Sequence, residues 1–166
     1  MEDNGVHKLN SKWTFWAHLP HDTDWSLKSY KKIMTLDTVE DVISLINKLP
    51  NKMVENCMLF IMREGIQPTW EDERNRDGGC FSYKVSNKIA VKTWRELSYL
   101  LTGETLTVKL KNSQIINGIT ISPKRNFCII KVWTSTCDEK NPGILKEIKP
   151  GIMRQGCIFK RHQPEY

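Results

Sequence analysis

Apolar and polar residues alternate over residues 12–18, with Trp13, Phe15 and Ala17 on one side and Thr14, Trp16 and His18 on the other. A period of two predicts a β-strand, which Pro20 ends. A second strand is expected over 29–36, where Tyr30, Ile33 and Leu36 supply apolar contacts in imperfect alternation. The period then lengthens to that of a helix. Val39, Val42, Ile43, Ile46 and Leu49 recur at helical spacing, Thr38 stands at the N-cap with Asp41 three residues on, and Pro50 follows, so 39–49 is predicted as an amphipathic helix. CMLFIM at 57–62 is a continuous apolar run of the kind a buried central strand carries. Residues 80–85 read as the next strand, and Gly78-Gly79 as the turn of a β-hairpin joining the two, because glycine accepts positive φ.

Helical spacing returns over 90–102, with Val91, Trp94, Leu97 and Leu101 inward and Gly103 as the stop. Strands at 115–122 and 127–134 form a hairpin whose tip carries Lys124 and Arg125, while 142–148 reads as a short helix and 156–160 as a last strand. This order predicts an α+β fold, an antiparallel β-sheet with helices on one face. No repeat, low-complexity segment or linker divides the chain, so residues 1–166 are expected to form one domain.

Apolar residues at 39% and charged residues at 27% are ordinary for a soluble globular protein. No apolar run approaches the roughly 20 residues that span a bilayer, and the polar start is unlike a signal peptide, so a cytoplasmic monomer is expected. The net charge of +6 favours an anionic partner, nucleic acid first. Five cysteines, an odd number without a C-x-x-C pair, argue against a disulfide framework or zinc site, and Cys57, Cys128 and Cys157 read as small buried hydrophobes. His18 and His21 flank Pro20 with no matching ligands and read as solvated loop residues. Six tryptophans exceed what a core of this size needs, which assigns some of them to a surface.

The chemistry concentrates in GIQPTWEDERNRDGGCF, residues 65–81. Trp70 stands directly before Glu71, Asp72 and Glu73. An indole face stacks on a nucleobase for roughly 1–3 kcal/mol, and a carboxylate can accept two neighbouring N–H donors of guanine, each bond to a charged group being worth roughly 1.5–3 kcal/mol. A surface loop with an anchored Trp and solvated charges is the alternative reading of the same residues. Trp25, alone in the polar HDTDWS, either folds onto the core or stands as a stacking plate.

PTWEDERNRDGG resembles the signature of the eukaryotic translation initiation factor 4E family, which binds the 7-methylguanosine cap of mRNA. HKLNSKWTFW, Trp25, DTVED at 37–41, WRELSYLLTGE at 94–104 and KVWTSTC at 131–137 extend the resemblance in the same order. It implies a strongly curved antiparallel sheet with helices on the convex face and a cap slot on the concave side. Trp25 and Trp70 would sandwich the base, Glu71 would accept from its N1–H and amino group, and Trp133 would sit against the N7-methyl. The cationic base favours indole plates. Lys124, counted back from Trp133, takes the place of the family's main phosphate-binding arginine, with Arg125 beside it. The resemblance implies neither a metal nor another cofactor. Its partners would be capped mRNA and a scaffold or repressor protein that presents a short helix to His7, Lys8, Val39, Ile43, Arg95, Glu96 and Tyr99.

Four departures stand out. Cys80 replaces an arginine after Gly-Gly, the sequence stops at Tyr166 soon after the last strand, Ile43 stands where the family has a tryptophan anchor, and Arg95 where it has a leucine. A cap-binding initiation factor is the leading reading. A cap-binding repressor or specialised isoform, and a methylation-insensitive single-stranded RNA module, stay open. An enzyme acting on mRNA 5′ ends would need a nucleophile with its base or a metal-ligating cluster, and the Glu71 to Glu73 run has no partnering histidine.

Overall fold

Burial along the first strand determines which side of the sheet takes the helices. A computed structural model of the protein describes residues 5–163. In β1 (Lys8–His18), Trp13, Phe15 and Ala17 are buried in the main core, and Thr14 and His18 are buried on the opposite face. β1 pairs antiparallel with β2 (Tyr30–Thr38) and with β3 (Met58–Arg63). With β4 (Gly79–Ser86), β5 (Ile116–Pro123), β6 (Phe127–Thr134) and β7 (Ile158–Arg161), the order is β2-β1-β3-β5-β6-β4-β7, all antiparallel.

That order overturns the expected hairpin between the third and fourth strands. β5 and β6 lie between β3 and β4, so the connection at 64–78 spans three strand spacings, roughly 14 Å. Nor is Gly78-Gly79 a positive-φ turn, since the glycines with positive φ are Gly5, Gly65 and Gly156. Gly78 serves close approach instead: a Cβ there would lie 1.8 Å from the carbonyl oxygen of Thr134 on β6.

Thr38 and Asp41 form the expected capping box on α1 (Val39–Lys48), with Thr38 Oγ1 accepting from Asp41 N at 3.0 Å and Asp41 Oδ2 accepting from Thr38 N at 3.0 Å. Pro50 ends this helix and also caps an unanticipated one, α2 (Asn51–Asn56). α3 (Asn87–Thr102) begins earlier than expected, because Ser86 provides its N-cap. Gly103 is not its left-handed residue; Gly103 has φ −80 and Glu104 takes φ 58. The expected helix over 142–148 reduces to a single 3-10 turn, Pro142–Ile144. Ile33 is half exposed on the edge strand β2 rather than packed.

The helices cover one face, where Trp94, Leu97 and Leu101 of α3 join Trp13 and Phe15 in the main core. Each such side chain contributes about 1.5–3 kcal/mol by leaving water. The other face carries a second, small cluster of Phe60, Met62, Ile66 and Trp133, with Trp16, Tyr30 and Met58 packed on it. This cluster is the floor of the candidate site.

Candidate functional site

A cavity of about 410 Å³ opens on the helix-free face, lined by Trp25, Tyr30, Met58, Phe60, Trp70, Glu71, Cys80, Ser82, Lys131, Trp133, Lys160, Arg161 and His162 among others. Trp25 and Trp70 are 59% and 39% exposed, whereas Trp13 and Trp94 are fully buried, so the surplus of tryptophan is spent at this opening.

Trp25 is held from behind. His18 at the end of β1 stacks on it with ring centroids 4.0 Å apart and planes 4° from parallel, and its Nε2 lies 2.8 Å from the carbonyl of Asp24. Tyr30 meets both rings edge-on, at 5.2 Å from His18 and 6.5 Å from Trp25. His18 is therefore buried and structural rather than the solvated loop residue expected. Trp25 is part of an aromatic stack and remains the most exposed tryptophan of the stack and its floor.

The Trp70 loop is built by two polar residues that the sequence reading left as loop charges or passed over. Asp72 accepts from Gln67 N and Arg74 N, both at 2.8 Å, turning the chain tightly around Trp70 and Glu71. Asn75 is fully buried and donates from Nδ2 to the carbonyls of Gln67 and Thr69 at 3.1 and 2.9 Å. Asn117 of β5 then donates from Nδ2 to the Arg74 carbonyl at 2.8 Å and to Asn75 Oδ1 at 2.9 Å, locking the loop to the sheet. Buried amides satisfied in this way fix geometry, since breaking one strands its partners. Glu71, by contrast, is exposed and makes no hydrogen bond or ion pair among the described residues. Its carboxylate helps raise the Tyr30 phenol pKa, behind burial as the larger cause.

Trp133 forms the back wall, 7% exposed, its Nε1 donating to Thr120 Oγ1 at 2.8 Å. His162 lies against it with centroids 4.8 Å apart. Burial, with Lys131 as the lesser cause, lowers the His162 pKa to about 4, so at neutral pH it is an uncharged ring.

Lys124 and Arg125 are exposed at the β5–β6 connection and are not among the residues that line the cavity. The cations that do line it are Lys131, Lys160 and Arg161. Register explains the two lysines: Cys80 faces Trp133 on β6 and Lys160 on β7, and Ser82 faces Lys131, so Lys131 and Lys160 share the cavity side, whereas Arg161 pairs with Gly79 and reaches the opening from the end of β7. The alternation of Lys131 and Trp133 carried that signal in the sequence, whereas β7 had no register until it paired with β4.

The residues expected to meet a partner helix lie on or beside α1 and α3 and at the start of β1. His7 Nδ1 lies 2.6 Å from Glu40 Oε1, and the His7 carbonyl accepts from Val39 N at 2.8 Å, tying the start of β1 to α1. Val39, Ile43 and Tyr99 are each about two-fifths exposed, and Glu96 is exposed. Arg95 is occupied, its Nη2 donating to Asn51 Oδ1 of α2 at 3.0 Å. Lys8 pairs with Asp37 of β2.

The family model described as eukaryotic initiation factor 4E matches residues 8–164. Initiation factor isoform 4E of Capsicum annuum is 34% identical over 137 residues, covering 78% of this chain and 65% of its own length. Initiation factor 4E of Candida albicans is 29% identical over 148 residues, with 83% and 69% covered. The chain thus spans about two thirds of the length of these curated relatives. The solved complex of C. elegans eIF4E-3 with the 4E-binding protein Mextli and a cap analog superposes with a TM-score of 0.71 at 25% identity, covering 80% of this chain and 76% of that one. A family match that begins with β1 and runs past β7, joined to the same fold in a solved relative, means that this chain belongs to the eukaryotic initiation factor 4E family.

Proposed function

We propose that this protein binds the 7-methylguanosine cap of mRNA in the cavity between Trp25 and Trp70 and promotes translation initiation in the cytoplasm through a scaffold partner. The observation that carries the reading is the joint lining of one 410 Å³ cavity by two exposed indoles and an unsatisfied carboxylate. That volume suits a nucleotide-sized ligand. Trp25 and Trp70 bracket the base, and Glu71 accepts from its N1–H and amino group. Methylation at N7 gives the ring a positive charge, which two indole faces attract and plain guanine lacks. Trp133 packs against the methyl group. The first phosphates meet Lys131 and Lys160, which stand in for the charge that Cys80 omits, while Lys124 and Arg125 act further along the sheet.

The C. elegans relative, solved in complex with Mextli and a cap analog, supports both halves of the proposal. A repressor or specialised isoform is the second reading, favoured by Ile43 in place of an aromatic anchor and by Arg95 engaged with Asn51. Tryptophan fluorescence tests the first half. Titration with 7-methyl-GTP should quench it strongly and GTP much less; equal quenching by the two nucleotides would remove the methyl-selective sandwich.

A further inference from the structure

Two further cavities share no lining residue with the one between Trp25 and Trp70. One, of about 400 Å³, is lined by Val108, Lys109, Lys111, Ile144 and Arg154 among others. The other, of about 550 Å³, is lined by Asn10, Leu110, Lys111 and Gln114 among others, so Lys111 borders both. Along 108–111 apolar and cationic residues alternate, and all four are exposed. Val108 is 55% and Leu110 74% exposed, and no large apolar side chain among the described residues is more exposed than Leu110.

Backbone bonds hold the walls. Val108 N donates to the Ile144 carbonyl and Lys146 N to the Leu106 carbonyl, both at 2.8 Å, and Asn141 Oδ1 accepts from Gly143 N at 2.8 Å. The 3-10 turn that stands in place of the expected helix over 142–148 thus forms one side of the smaller cavity. A wall fixed in advance spares a ligand part of the ordering cost of binding.

The charge here is unbalanced. Lys109, Lys111 and Arg154 form no ion pair among the described residues. The acids beside them are engaged: Glu104 with Arg63, and Glu139, whose Oε1 accepts from Asn141 N at 3.1 Å. Free cations set between exposed aliphatic side chains complement a peptide that carries both carboxylates and apolar residues. Neither cavity is lined by an aromatic ring, so a nucleic acid would find cations but no surface on which to stack a base.

We infer that this surface docks an acidic segment of a partner protein, its carboxylates meeting Lys109, Lys111 and Arg154 and its apolar residues covering Val108, Leu110 and Ile144. The site is separate from the α1–α3 face and does not depend on the cap reading.

Fluorescence anisotropy with a labelled peptide of four Glu-Glu-Leu repeats tests it. Leu110→Ser should weaken binding about tenfold, as expected when a leucine side chain is left in water. Lys109→Glu with Lys111→Glu should weaken it by at least about tenfold, because like charges then meet. All three positions are exposed, so urea midpoints should match the parent. Lys124→Glu with Arg125→Glu, which changes net charge equally elsewhere, should leave the affinity unchanged, as should saturating 7-methyl-GTP. Equal weakening by the two charge reversals, or no effect of Leu110→Ser, would reduce the binding to general attraction by a basic protein and overturn the site. Displacement of the peptide by 7-methyl-GTP would place it in the cap cavity and overturn the site as well. So would an uncapped ten-nucleotide RNA that binds where the peptide does not and responds to the Lys109 and Lys111 reversal, since the surface would then serve nucleic acid.

Discussion

At the scale of single residues, Glu71 and His162 carry opposite lessons about burial. Glu71 is exposed and unpaired, so Glu71→Ala removes an acceptor without opening a cavity. Cap affinity should fall by roughly 1.5–3 kcal/mol, one to two powers of ten, with an unchanged melting temperature. A dissociation constant equal to that of the parent would reduce Glu71 to a solvated charge. His162 is pressed against Trp133 with its pKa lowered to about 4, so between that value and about 6.5 the unfolded chain holds a proton that the folded chain refuses. Its contribution to stability is full above about pH 6.5 and is lost as pH falls to about 4. Glu40, lowered to about 2 chiefly by its bond from His7, acts only in a more acid window. Urea unfolding across pH 4.5–7 should therefore show a slope that His162→Gln flattens, and parallel curves for the two proteins would contradict it.

At the scale of elements, local patterns were legible where the interaction that decides them is local. The Thr38 and Asp41 capping box and the alternation over Trp13 to Ala17 are such cases. The β3–β4 hairpin failed because pairing is chosen by the whole sheet: nothing within 57–85 reveals that 116–134 will insert there. α2 was missed because Pro50 serves as both a stop and a start, and six residues are too few to display a period. The α1–α3 face gives the element-scale prediction. An exposed strip of Val39, Ile43 and Tyr99 survives, but it lacks the large aromatic that usually dominates an interface, and Arg95 brings a guanidinium whose burial costs desolvation. A standard scaffold helix should bind weakly, and Ile43→Trp with Arg95→Leu should tighten it. Calorimetry with such a peptide decides, and tight binding by the unmodified protein would sink the idea.

At the scale of the whole molecule, the sequence marked the two exposed tryptophans and the carboxylate that line the cavity but not the frame that holds them. Trp25, Trp70 and Glu71 sit in local polar contexts that mark them. Asn75, Asn117, His18, Lys160 and Arg161 gain their roles only from contacts between distant segments. Arg63 is the extreme case, a cation at the end of a buried strand whose purpose no local pattern discloses. It uses all five N–H donors: Nη1 to Glu104 Oε1 at 2.6 Å and Ser11 Oγ at 3.2 Å, Nη2 to Glu104 Oε2 at 3.0 Å and the Ser113 carbonyl at 2.8 Å, and Nε to the Ile116 carbonyl at 2.7 Å. Its guanidinium also lies 4.4 Å from the Trp13 ring centroid. One side chain thereby joins β1, β3, the start of β5, the segment before it and Glu104, two residues past α3, which takes a left-handed conformation. With side-chain exposures of 14% and 10%, the pair is nearly dry, so removing one partner leaves an uncompensated charge. Arg63→Met should cost about 3–5 kcal/mol. Adding Glu104→Gly removes that stranded carboxylate and suits the positive φ, so the double variant should be more stable than Arg63→Met alone, short of the parent because the arginine's bonds to Ser11 and to the Ser113 and Ile116 carbonyls stay lost. Neither residue lines the cavity, so folded molecules of both variants should keep the quenching by 7-methyl-GTP. Urea unfolding of the parent and the two variants tests the pair, and a double variant no more stable than Arg63→Met would show that the buried charge is not what the arginine holds in check.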